Sequence, residues 1–440
     1  MRIAFIIHRY GPEIVGGSEH HCRLVAERLA AQHSVDVLTT CARDSNTWKN
    51  EYAEGADRIR GVTVRRFKNT ETRNPEAFGK HSDWIFNNDH DRAQEVDWLR
   101  QLGPWCPGLV EFLRKNQQQY DVLVFFEYRY ATTVLGLEVA PKRSILVPSS
   151  PAGPGGEDEP ALHLDIYRDV FSRPAAILYN TESERRFLQG DFPERPPIEE
   201  VVGVGVDIPQ HNPYPRMPAP VDDEPQPDDE PPGGSSAAAA DDESAARIFP
   251  SHLLARGAVF RRRHRLHGPM LLYSGRVDPG QGCEELLEYF GGYIEHGGEA
   301  TLALVGVKLM SLPEDPHIRF AGLLTSDRER LQSLEAATVV ACPSAHDGLS
   351  LDALESLSVG TPILANARNP VLVEHCVASN GGLYYADRDE FIACLKLLVA
   401  DAGVRASLGR NGREYVRRNY RWEAVLGKYE RVLAKVRNAR

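Results

Sequence analysis

Short apolar runs of β type recur along this 440-residue chain with helical stretches between them, and that rhythm limits the fold more than any other feature. Segments 2–8, 35–40, 62–67, 122–126, 144–148 and 176–180 read as buried strands, and 18–32 and 108–116 carry helical periodicity between them. The rhythm then returns at 270–274, 301–305, 318–321, 339–343 and 362–365. Near-continuous apolar strands separated by helices build parallel sheets covered on both faces. Two such halves predict an α/β chain of two doubly wound, Rossmann-like domains. The tail adds two predicted helices, 405–419 and 422–436.

The halves are separated by a segment of different chemistry. Residues 209–251 are rich in Pro, Asp, Glu and Ala, with Gly233-Gly234-Ser235-Ser236 at the middle. Too few large apolar side chains are present to offset the entropy of ordering, so a disordered acidic linker insert is expected there. The predicted domains are therefore 1–208, the insert 209–251, 252–418, and a C-terminal helical segment 419–440 that packs back toward the first domain. The insert holds nine acidic and no basic residues between Val221 and Ser244, against a net charge of −11 for the whole chain. The global charge thus says little about a partner, and no nucleic-acid partner is expected. The arginines at 261–263 and 265 read as a solvated helix face.

Seven cysteines are scattered without a CxxC pair, which argues against a disulfide framework or structural zinc. The longest apolar runs are far short of the roughly 20 residues of a membrane helix. The run ending at Ile7 meets His8-Arg9 with no cleavage site, so no signal peptide and a cytoplasmic location are expected. Peripheral contact with the inner face of the membrane stays open.

Three motifs carry chemistry. Gly16-Gly17-Ser18-Glu19 follows the first strand and opens a helix, where free N–H groups meet an anion or a plain βα turn is made. Residues 275–282, Gly-Arg-Val-Asp-Pro-Gly-Gln-Gly, follow the first strand of the second half and place Arg276 at a sheet mouth, either for a diphosphate or as a surface arginine. The third runs from Pro343 through Asp347, Gly348, Leu349, Ser350 and Leu351 to Glu355, with Gly360-Thr361-Pro362 beyond. A loop there leads into a helix that presents N–H groups to a phosphate, with carboxylates on either side for sugar hydroxyls. By contrast, Asp89-His90-Asp91 sits in a polar turn, His20-His21 lack the spacing of a zinc pair, and Gly203 and Gly205 read as a hinge, so no metal is implied.

Taken together, in this order and spacing, the motifs resemble those of GT-B glycosyltransferases of the retaining family 4 type. The resemblance extends to Gly412-Arg413-Glu414-Tyr415-Val416 before Tyr420-Arg421-Trp422, and covers nearly all the chain outside the insert. It implies a nucleotide-diphosphate sugar as co-substrate, no other cofactor, and a glycan or glycolipid acceptor in cell-surface polysaccharide biosynthesis. Arg276, Asp347 and Glu355 would be the catalytic residues. Arg276 would neutralise the diphosphate, Glu355 would accept the ribose hydroxyls, and Asp347 would hold the transferred sugar. Gly16, Gly17, Gln281, Gly348, Leu349, Ser350 and Leu351 would line the donor. The leaving phosphate would help deprotonate the acceptor.

The pattern departs from the family in three places. Gln281 stands where relatives carry lysine, Asp347 where they carry glutamate, and 149–160 contains no histidine where many relatives have one facing the sugar. His163 lies just beyond and reads as structural. These departures favour a second expectation, a GT-B scaffold that binds nucleotide sugar or glycan without transfer. Acceptor recognition is expected from 46–88 and 127–130, where Trp48, Tyr52, Trp84, Phe86, Tyr128 and Tyr130 offer rings for stacking or for core packing.

Overall fold

The computed structural model describes residues 1–14, 16–149, 159–208, 256–324, 326–346 and 348–439. The acidic insert and Asp347 lie outside the described residues, as does most of the histidine-free stretch. Strands β1 (Arg2–Ile6), β2 (Ser34–Thr40), β3 (Gly55–Ile59), β4 (Val62–Phe67), β5 (Val122–Phe126), β6 (Ser144–Val147), β7 (Ala176–Tyr179) and β8 (Ile198–Val201) form one sheet. Its order is β3-β4-β2-β1-β5-β6-β7-β8, parallel except for the β3–β4 pair. A second sheet contains β9 (Met270–Ser274), β10 (Thr301–Val305), β11 (Ile318–Gly322), β12 (Val339–Cys342), β13 (Ile363–Asn366) and β14 (Gly382–Tyr385). It is wholly parallel, in the order β11-β10-β9-β12-β13-β14. The two-domain doubly wound architecture read from the sequence is the one observed.

Both sheets are buried on two sides, which is why their central strands read as unbroken apolar runs. In β5 alternate residues serve opposite faces: Leu123 and Phe125 join one core, Val122, Val124 and Phe126 the other. In β9, Leu271 and Tyr273 face one core of the second domain, and Met270 and Leu272 face the other.

Chain order reverses between β1 and β5 in the first sheet and between β9 and β12 in the second. At such a switch point the loops leaving two neighbouring strands diverge to opposite faces and open a crevice at the carboxyl ends. Each domain thus offers one crevice, fixed by topology.

The last helix, Trp422–Asn438, belongs to the first domain's core although it follows the second in sequence. Its Trp422, Val425, Tyr429, Val432, Leu433 and Val436 recur at helical spacing and pack with Ile3, Phe5 and Val124. His21, from the helix Gly17–Leu29, is buried beneath it, with Nε2 3.3 Å from the Tyr429 hydroxyl and its ring edge-on to Phe126 at 5.3 Å.

Burial, with a smaller contribution from His20, pushes the His21 pKa down to about 3. Between pH 6.5 and 3 the unfolded chain therefore takes up a proton that the folded histidine refuses, and stability is lost as pH falls through that window. The slope from this one residue is about 1.4 kcal/mol per pH unit. In urea unfolding at pH 7, 6, 5 and 4, His21→Gln is expected to show a shallower acid loss than wild type. Parallel pH dependences would contradict this account.

Candidate functional site

The crevice of the second domain is built from close backbone approaches. Beyond β9 the chain turns at Gly275, whose carbonyl oxygen lies so near Gly306 that a β-carbon there would sit 1.9 Å away. Tyr273 donates its hydroxyl to Arg276 O at 2.7 Å, holding the turn. The Asp278 carboxylate accepts from Gln281 N at 3.0 Å and caps the single turn Pro279–Gln281. Gly282 follows with φ 74°, and a β-carbon on it would lie 2.5 Å from Pro343 O. This glycine therefore locks the loop after β9 to the start of the segment after β12.

From that platform Arg276 extends with more than half its side chain exposed, its Nε 3.4 Å from Asp278 Oδ2. An exposed guanidinium with one loose carboxylate partner among the described residues keeps most of its donors for a ligand. Gln281, Gly348, Leu349 and Leu351 are half-buried at the same end of the sheet, and Ser350 is buried. Ser350 adopts the left-handed conformation, φ 48°, immediately before the helix Leu351–Val359. Within that helix Glu355 is buried and ion-paired to Arg330, which comes from the helix Asp327–Ala336. The structure thus assembles Arg276, Gln281, Gly348, Leu349, Ser350, Leu351 and Glu355 along the β9 and β12 mouth. Nothing is assigned to Asp347.

Across from it stands the mouth of the first sheet. Gly16 has no room for a side chain, since a β-carbon would lie 2.2 Å from Glu19 Oε2. Glu19 cannot readily yield: it is buried and accepts from His8 Nε2 at 2.8 Å, Arg9 Nε at 2.9 Å and Ser18 Oγ at 3.1 Å. Burial alone would raise its pKa, but His8 and Arg9 outweigh that and hold the carboxyl well below its ordinary value. His8, fully buried, is pushed down by desolvation despite Glu19. A β-carbon on Gly17 would lie 3.9 Å from Leu349 Cδ2, so the two crevices face each other at this point.

Several of these groups had no signature in sequence. His8 and Arg9 were visible only as the end of the first apolar run, although a His-Arg pair leaving a strand at a switch point was the available signal. Arg330 had none, because its partnership with Glu355 arises from helix packing. His163 is exposed, in the turn after the short helix Glu159–Leu162. Asp91 caps the helix Arg92–Leu102 through a capping box with Gln94. Trp48 and Tyr128 are buried, whereas Tyr130 is half-buried and Trp84 exposed.

Gly282→Ala is expected to lower stability by at least about 1–2 kcal/mol, the cost of a left-handed non-glycine residue, with further loss from the clash at Pro343. The same variant should weaken ligand binding at the β9 and β12 mouth more than Gly291→Ala, where a β-carbon meets nothing within 4 Å. Thermal unfolding of both variants, with and without nucleotide, checks this.

Comparison with known proteins agrees with this geometry. Residues 268–401 match the family model for glycosyl transferases group 1. The MMP alpha-(1->4)-mannosyltransferase of Mycolicibacterium hassiacum is 34% identical over 119 residues, or 25% of this chain, and the match spans only 28% of that relative's length. Sucrose-phosphate synthase from Thermosynechococcus elongatus superposes with a TM-score of 0.67 at 17% identity, covering 100% of both chains. HepE from Anabaena, in complex with UDP, gives 0.66 at 13% identity, covering 99% of this chain and 100% of its own. WaaG, a glycosyltransferase involved in lipopolysaccharide biosynthesis, gives 0.57 at 14% identity over 99% of each chain. At these identities the solved structures establish the fold, and the family match is a likeness confined to the second domain. The chain has the GT-B fold, and its residues 268–401 are similar to the glycosyl transferases of group 1.

Proposed function

We propose that this protein is a retaining glycosyltransferase that moves a sugar from a nucleotide-diphosphate sugar to a glycan or glycolipid acceptor. Cell-surface polysaccharide assembly at the cytoplasmic side is the setting we infer from the family resemblance. Among the described residues no helix is long and apolar enough to cross a membrane. The observation that carries the proposal is the half-exposed Arg276 at the β9 and β12 switch point, beside the helix that begins after Ser350. HepE has been solved with UDP and with UDP-glucose, and the partial relative is a mannosyltransferase.

In this reading the diphosphate lies between Arg276 and the N–H groups of Leu349 and Ser350. Negative charge grows on the leaving diphosphate as the glycosidic bond breaks. Fixed donors aimed there favour the transition state over the ground state and need no reorganisation. Glu355 accepts from the ribose hydroxyls. Its two carboxylate oxygens offer about four lone-pair sites, so Arg330 can keep its bond while the ribose binds. Gly17, free of a side chain, lets the first domain approach the phosphates. The chemistry requires no metal, because arginine and backbone dipoles meet the charge.

Gln281 favours a second reading, a scaffold that binds the donor without turning it over. An amide in place of a cation forfeits a charge-assisted bond to phosphate, worth about 1.5–3 kcal/mol.

Release of nucleoside diphosphate from UDP-, GDP- and ADP-sugars, with glycan acceptors present and absent, separates the readings. One donor is expected to be turned over, with the product keeping the donor's anomeric configuration in its proton NMR spectrum. Arg276→Ala should lower kcat/KM roughly 10- to 100-fold, as expected for loss of one charge-assisted bond. Gln281→Lys should raise turnover in a catalyst and only tighten binding in a scaffold. Donor binding without release in any combination would overturn the transferase proposal.

A further inference from the structure

Three arginines gather at the mouth of the first sheet, and one of them, Arg73, has no ion pair among the described residues. Arg9 is paired with buried Glu19 and also donates through Nη1 to Arg43 O at 2.8 Å. Arg129 is paired with Glu127, Nε to Oε1 at 3.0 Å. Glu127 is itself buried and left-handed, φ 70°, at the end of β5. A non-glycine residue held in that conformation is the sort of strain that persists where the surroundings require the side chain's position.

Arg73 differs from these two. It leaves the segment after β4, and its bonds go to carbonyl oxygens: Nε to Asn46 O at 2.9 Å and Nη2 to Ser45 O at 2.6 Å. Its guanidinium lies 5.7 Å from the Trp48 ring and 5.4 Å from the Phe78 ring. The nearby Asp44 spends its carboxylate on its own turn, accepting from Asn46 N, Thr47 N and Thr47 Oγ1. No ion pair of Arg73 occurs among the described residues. Burial pushes its pKa below the ordinary arginine value, with Tyr130 and Asp44 opposing the shift and Arg129 adding to it. A cation partly removed from water without a carboxylate is a standing cost that an incoming anion removes.

The same place holds two further rings. Tyr130 is half-buried, with its ring 5.5 Å from the Arg129 guanidinium, 5.2 Å from Trp48 and 4.2 Å from His8. His8 meets Glu19 through Nε2, but its buried Nδ1 has no hydrogen-bond partner. Buried polar atoms in native proteins are nearly always paired, and this orphan belongs to a ring that lies against Tyr130, which Arg129 also approaches.

We propose that the acceptor carries an anionic group, phosphate or carboxylate, received by Arg73 and Arg129 beside the Tyr130 ring at the mouth of the first sheet. This rests on the donor lying at the opposite mouth, since the acceptor must reach it past Gly17 and Leu349. Arg73 acts here as a specificity-determining residue. A neutral sugar meets the same ring but leaves the guanidinium uncompensated.

The test is calorimetric titration of the full chain, with and without saturating nucleoside diphosphate, at constant ionic strength. The probes are glucose, glucose 6-phosphate, glucuronate and inorganic phosphate. The phosphate or the carboxylate probe is expected to bind at least tenfold more tightly than glucose, and which of them leads identifies the anion. Arg73→Gln should abolish that preference while leaving nucleotide affinity as in wild type. Arg73→Lys, which keeps the charge, should retain part of it and shows that loss in the glutamine variant is not misfolding. Equal affinity for neutral and anionic probes, or a preference that survives Arg73→Gln, would overturn the proposal. Nucleotide binding in the same samples is an independent readout. Its absence counts against the donor reading, whereas nucleotide binding without anion preference counts against this inference alone.

Discussion

The two places where the chain crosses between domains are strapped to each other, and the opposition of the two crevices depends on that strap. On the way out Val206 N donates to Tyr420 O at 2.8 Å, and Val206 forms a parallel bridge with Arg421 on the way back. Trp422 then closes over Gly205, where a β-carbon would meet its ring at 2.3 Å, and Arg28 of the first domain stacks on the same ring at 3.8 Å. A second tie comes from Glu374 of the second domain. Its carboxylate accepts from Ser183 N at 2.8 Å and Ser183 Oγ at 2.5 Å, serving the open end of the helix Glu182–Asp191. With the C-terminal helix buried in the first domain's core, the paired crossings hold the β1 and β5 mouth toward the β9 and β12 mouth.

Charge is arranged differently on the two sides of the resulting cleft. On the side proposed for the donor, the buried carboxylate of Glu355 is paired with Arg330, and Arg276 lies loosely against Asp278. On the other side Glu19 and Glu127 are each paired with an arginine, and Arg73 bonds carbonyl oxygens with no ion pair among the described residues. In both crevices the buried carboxylates are paired with arginines, and one further guanidinium stands nearby with weaker or uncharged partners. That common plan is what the proposed donor and the proposed anionic acceptor would both require.

What was legible in the sequence was whatever the backbone or continuous burial dictates. Strands covered on two faces, such as β1 and β5, appear as apolar runs that no helix of that length would need. Gly16 and Gly282 were legible because each marks a spot where only a bare backbone fits. The strands β3, β8 and β14 were not seen. Gly55–Ile59 is an exposed edge with polar residues at its centre, Ile198–Val201 carries two glutamates, and Gly382–Tyr385 begins at a glycine. Edge strands with one solvated side lose the apolar signature. The partnerships of His8, Arg330 and Arg73 were hidden for another reason. They are made by tertiary contacts between residues distant in sequence, and nothing local distinguishes these side chains from surface ones.

Hydrogen–deuterium exchange with and without the nucleoside diphosphate of the preferred donor tests the central claim most directly, because it reads where the diphosphate lies without needing turnover. Protection is expected to concentrate in peptides covering 275–283 and 348–355, with a weaker effect at 16–20 across the cleft. Protection confined to other segments, or none at these two while the nucleotide is demonstrably bound, would contradict the placement of the donor site at the β9 and β12 switch point.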